Sequence, residues 1–222
     1  MRRDLPIIST PHAHTCLTEK KTDPFTAVTA VDTFKSVFLD IVASPTPAGS
    51  SQPRLPAINV TAMPGKHVKP GLLSTVNDIL GAVPPVNGWM LELGHYASAA
   101  EPSESSFSSK YRIYISGDTL MIDELKEIPE RYRDKKIDLM LVHLGGTTIP
   151  GPGMPLLMVT MDAEQGIQLI KLINPDLTLP IHFNDYNVFA SPIEDFKKAV
   201  KEAGLEDKVV FWDRGEEYKF KV

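Results

Sequence analysis

Cysteine is almost missing. The 222 residues hold one, Cys16, and a lone thiol closes no intrachain disulfide, which excludes a stapled secreted domain. No apolar run nears the roughly eighteen residues of a membrane span. The opening MRRDLPIISTPHAH has two arginines but only a short, broken apolar stretch, so it lacks the core of a signal peptide. Positive charge is also short: 23 Lys and Arg against 28 Asp and Glu give a net charge of −5, which does not suit a nucleic-acid surface. No Gly-x-Ser-x-Gly elbow occurs, and the Gly-Pro-Gly at 151–153 lacks the rest of a phosphate-binding loop. With 42% apolar and 23% charged residues, the composition is that of a folded globular chain. It predicts one domain over residues 1–222 in a reducing compartment, the cytoplasm.

The two halves differ in texture. Residues 1–110 are rich in proline, serine and threonine, and the stretches 44–56 and 98–110 read as exposed loops. From Tyr111 the chain is regular. Tyr111 to Ser116 alternates as a strand, and apolar positions 121, 122, 125 and 128 follow a helical period. Ile137 to Leu144 is a nearly continuous apolar run, as in a strand buried on both faces. Asp162 with Gln165 forms a capping pattern that opens a helix through Ile173. Thr178 to Phe183 predicts another strand. Ser191-Pro192 predicts a helix start with proline at its first position and Gly204 as its stop, and Val209 to Asp213 predicts a last strand. Alternating strands and helices give the α/β class.

The chemistry gathers at strand ends. Imidazole and carboxylate are natural ligands of zinc, iron and manganese. His67 follows an apolar run at Pro64-Gly65, Asp118 follows a strand directly, and His182 lies in a strand before a polar loop. His143, next to Gly145 and Gly146, either touches substrate and donates a proton to a leaving group, or is a satisfied strand-end histidine. Asp185 either orients His182 or forms a turn. His12 and His14 would face one way if their segment is extended, and Cys16 reads as a small buried apolar residue. His95 reads as a surface residue near a hairpin edge.

Strands running into PGKH, SGDT and PIHFND, in that order, resemble the late motifs of the metallo-β-lactamase fold, above all the branch with phosphodiesterase- and phospholipase-D-like hydrolases. The resemblance covers about residues 55–222. It implies a four-layer αββα sandwich in which His67 binds one metal, Asp118 bridges two and His182 binds the second. It also implies one or two zinc ions, with iron or manganese as alternatives. Metal-activated water would attack a small-molecule phosphodiester, lactone or related ester, with Asp118 and His143 as the catalytic side chains. The family's HxHxDH motif does not occur in this sequence. The expected sandwich is therefore N-terminally incomplete. The alternative is a truncated or degenerate non-catalytic member that cannot assemble a dinuclear site. Missing strands would bare apolar surface, so self-association is expected.

Overall fold

The computed structural model describes residues 2–41, 55–68, 83–97, 103–149, 153, 157–184, 187–213 and 215–219. Its centre is a six-stranded sheet in the order β10-β7-β6-β5-β4-β3. The strands are β3 (Ser36–Asp40), β4 (Pro56–Met63), β5 (Gly88–Tyr96), β6 (Phe107–Ile115), β7 (Leu139–His143) and β10 (Leu177–Ile181). β3 to β6 pair antiparallel, whereas β6, β7 and β10 run parallel. Two small pairs complete the strands: β1 (Ile7–Ser9) with β2 (Val28–Ala30), and β8 (Thr148–Ile149) with β9 (Leu157–Met158). The helices are α1 (Pro11–Thr18), α2 (Glu127–Arg131), α3 (Ala163–Ile173) and α4 (Ile193–Ala203).

Period-two alternation gives the sheet two different faces. One row across it reads Thr61, Met90, Tyr114, Met140 and Thr178. On this side Met90, Tyr114 and Met140 are fully buried with Ile128 of α2, Ile167 and Ile170 of α3, and Phe196 and Val200 of α4. Each such aliphatic or aromatic side chain contributes about 1.5–3 kcal/mol on burial. The opposite row reads Val37, Val60, Leu91, Ile113, Leu139 and Leu177, aliphatic throughout. On this side Leu139 and Leu179 are buried with Tyr111, and half-buried neighbours pack against them, among them Val210 and Trp212 from the C-terminal segment.

The helix signals are realised closely. The Asp162 carboxylate accepts the Gln165 N–H at 2.9 Å and opens α3. Gly204 ends α4 at φ 65°, although Pro192 takes the N-cap rather than the first helical position. The α/β class holds. Of the four expected layers, the described residues show one large sheet and the helix layer on it.

Other expectations need correction. The predicted loop 98–110 gives way to a 3-10 turn at Glu104–Ser106 and to β6 from Phe107, because half-buried Phe107 packs on the rings of Phe38 and Tyr96 and Tyr111 is buried in the sheet. Pro56 begins β4 rather than closing a loop; residues 44–54 and 98–102 lie outside the described residues. Val209 to Asp213 forms no strand beyond a single bridge from Val209 to Thr178. Its apolar side chains pack onto the sheet instead of pairing along it. Pro11–Thr18, which carries His12 and His14, is helical rather than extended: the Thr10 hydroxyl accepts the Ala13 N–H at 3.1 Å and Pro11 starts the helix.

Candidate metal centre

The topology gathers the polar strand ends. Because β6, β7 and β10 are parallel and in register, with Ile115 beside Leu141 and His143 beside Ile181, their C-terminal ends open on one edge. Asp118, His143 and His182 leave the sheet there. His182 takes φ 60°, a left-handed conformation that an L-residue adopts at a cost of about 1–2 kcal/mol. Two contacts hold it: Nδ1 lies 3.0 Å from the Leu144 carbonyl, and its ring meets Phe189 edge-on at 5.0 Å. This bend turns the imidazole toward Asp118, whose Oδ2 is 3.6 Å from His182 Nε2. The His143 ring stands 5.8 Å from that of His182.

These side chains set one another's charge. Burial lowers the pKa of His143 below its ordinary value; nearby Asp118 opposes the shift and His182 adds to it. At neutral pH His143 is therefore an uncharged imidazole. His182 must donate from Nδ1, because the Leu144 carbonyl can only accept. In the neutral ring Nε2 then carries a bare lone pair, and it faces a carboxylate oxygen. Two acceptors in contact repel unless a cation lies between them.

The spacing distinguishes the cations. A shared proton draws charged N and O to about 2.7–2.9 Å. Two ligands on a tetrahedral zinc, each at about 2.0–2.2 Å, stand roughly 3.4 Å apart. The observed 3.6 Å matches the second case, so the donor chemistry of this pair fits a metal ion. The donor count does not reach a closed set: among the described residues, no three His, Cys, Asp or Glu side chains stand where they could hold one ion.

His67 is placed apart from the pair. Its turn is stitched to that of Asp118 by Thr119, whose hydroxyl accepts the Lys66 N–H at 2.8 Å, while the Leu120 N–H donates to the Lys66 carbonyl at 2.9 Å. His67 Nδ1 lies 2.9 Å from the Val159 carbonyl, so this imidazole too keeps Nε2 bare. It lines a cavity of about 730 Å³ with Thr10, His12, Asp32, Lys66 and Asn87.

The remaining residues sort plainly. His12 and His14 lie on a helix, where residues two apart diverge, in keeping with ordinary surface or packing histidines rather than a chelating pair. Cys16 is exposed rather than buried, with its sulfur 3.6 Å from His12 Nε2. His95 is half-buried in an interior strand, not at a surface edge. Asp185 lies outside the described residues. Two contributors had no sequence signal: Ser116, fully buried against His143, and Phe189, which supports His182.

No family model matches the chain. It is 31% identical over 130 residues to a UPF0173 metal-dependent hydrolase of Archaeoglobus fulgidus, across 58% of this chain and 50% of that protein. The order of motifs and the edge they share agree with that relationship. The chain is similar in sequence to the UPF0173 metal-dependent hydrolases. It spans about half the length of the curated relatives it matches. The fold is shared with the isothiocyanate hydrolase from Delia radicum gut bacteria, with a TM-score of 0.66 at 15% identity over 99% of this chain and 69% of that one. The Igni18 metallo hydrolase of Ignicoccus hospitalis gives 0.57 at 20% identity, over 97% of this chain and 70% of its own. Among the described residues of the chain, no helix is long and apolar enough to cross a membrane.

Proposed function

We propose that this chain carries the metal-holding edge of a hydrolase, with Asp118 and His182 as ligands of one zinc, iron or manganese ion. The observation that carries this reading is the 3.6 Å approach of Asp118 Oδ2 to His182 Nε2, with Nδ1 of that ring committed elsewhere. A bound metal supplies a water whose pKa is lowered toward neutrality. Asp118 contributes the negative charge that retains a cation, and its second oxygen suits a bridging role. The Leu144 carbonyl fixes the His182 tautomer. Uncharged His143 faces the same edge, where it meets the substrate. His67 keeps a bare Nε2 at the cavity it lines, which in this reading takes a small phosphodiester, lactone or related ester. The shared fold of the isothiocyanate hydrolase adds a non-ester electrophile worth screening. The lone cysteine suits the cytoplasm.

Elemental mass spectrometry of the purified chain tests this. We expect about one zinc, iron or manganese per chain, with a catalytic ion taking three protein ligands and water. Asp118→Asn and His182→Gln should each lose it, since every ligand removed from so small a set weakens retention by about 10–100-fold or more. The second reading, a non-catalytic member, is favoured by the absence of a closed three-donor set among the described residues. A chain that takes up no metal after dialysis against excess zinc would establish that reading and end the first.

The aliphatic sheet face leads to a separate expectation, that the isolated chain pairs with a second copy. The row from Val37 to Leu177 carries no charge, so two copies can meet there without like-charge contact despite a net charge of −5. The half-buried members of the row, Val37, Leu91, Ile113 and Leu177, are what a second copy would cover. Sedimentation equilibrium should show a dimer at micromolar concentration. Leu141→Lys, on half-buried Leu141 of that face, should return it to monomer. A wild-type monomer whose face binds a hydrophobic dye would reject the pairing.

A further inference from the structure

Ser116 is fully buried at the end of β6, and its hydroxyl meets three polar atoms. The backbone N–H of His143 donates to Oγ at 2.9 Å. The Gly117 carbonyl lies 3.0 Å away and His143 Nδ1 lies 3.4 Å away. A hydroxyl has one proton and two lone pairs. One lone pair is taken by the His143 N–H. A carbonyl can only accept, so the single proton goes to Gly117. The second lone pair then faces Nδ1, and the contact is favourable only if Nδ1 carries a proton. The opposite assignment would spend the proton on the longer contact and set two oxygen lone pairs against each other at 3.0 Å.

We propose that Ser116 is a positioning residue that holds His143 in the Nδ1–H tautomer and leaves a bare Nε2 on the edge shared with Asp118 and His182. His143 then accepts a hydrogen bond or a proton at that edge, the reverse of the proton-donating role suggested by the sequence. Its catalytic meaning rests on the hydrolase reading above; the tautomer does not.

The test is ¹⁵N NMR of the histidine side chains in the metal-free full chain at neutral pH, with His143→Gln identifying the His143 signals. The expected wild-type result is a protonated Nδ1 and an unprotonated Nε2, with well-separated signals. Ser116→Ala should collapse that separation as both tautomers populate, and Ser116→Thr should restore it. Thermal unfolding of both variants separates this from a merely structural role, which would lower the melting temperature and leave the tautomer alone. A wild-type His143 protonated on Nε2 would overturn the proposal, as would an unchanged spectrum in Ser116→Ala. The wild-type spectrum decides even if neither variant folds. Metal content measured separately fails or succeeds without reference to this spectrum.

Discussion

Gly117→Ala is expected to abolish tight metal binding and to destabilise the chain by about 2–4 kcal/mol, from overpacking together with a left-handed alanine. Gly117 takes φ 65°, and a Cβ built there would lie 2.4 Å from the Asn87 carbonyl oxygen. That oxygen is backbone, and it immediately precedes β5, which pairs on both sides and cannot retreat as a side chain would. The turn itself must therefore move, taking with it Ser116 on one side and Asp118 on the other. Asp118 holds its position opposite His182 only through this turn, and a shift of an ångström would open the 3.6 Å approach. The measurements are urea unfolding and a zinc isotherm on the same preparation. An alanine variant with wild-type stability and wild-type affinity would show that the turn adapts and that the site does not depend on it. Weakened binding at full stability would place the whole effect on the site.

That turn also shows how far the sequence could be read. SGDT announced a carboxylate at a strand end, and the strand and helix periods after Tyr111 predicted β6, β7, α3, β10 and α4. That Asp118, His143 and His182 share one edge follows from the parallel pairing of β6, β7 and β10, which the structure supplies. The partners that make the edge specific were not legible. Ser116 meets His143 across 27 residues of sequence, Phe189 reaches His182 from a polar loop, and Thr119 ties the turn to Lys66 across 53. No periodicity encodes such contacts. The first half was legible only in part. The apolar run into PGKH is β4, where Val60, Ala62 and Met63 are buried, whereas the serines after 98 read as a loop and hid the start of β6 at Phe107. Val209 to Asp213 failed in reverse: an apolar run recorded burial against the sheet, and burial alone does not distinguish a covering segment from a strand.

Glu92→Ala should be the most destabilising of the polar substitutions, at about 3–5 kcal/mol, as when one partner of a buried ion pair is removed. Glu92 lies on the helix side of β5, and its side chain is 8% exposed. Oε1 accepts from Arg112 Nε at 2.8 Å and Oε2 from Asn59 Nδ2 at 3.1 Å. Truncation leaves the guanidinium, itself 15% exposed, with only the Lys136 carbonyl at 3.3 Å. Glu92→Gln should cost far less. Its carbonyl still accepts from Arg112, and its amide can donate to Asn59 Oδ1, an oxygen buried without a partner in the native chain, once the Asn59 amide turns over. The double variant Glu92→Leu, Arg112→Met should recover most of the loss, because apolar side chains of similar volume carry no desolvation cost. Urea unfolding of the three variants measures the order directly. If Glu92→Ala unfolds within about 1 kcal/mol of wild type, in the range of exposed pairs, water reaches Arg112 and the network is not the dry one described. If the ordering holds, the middle of the sheet is fixed in register by one carboxylate.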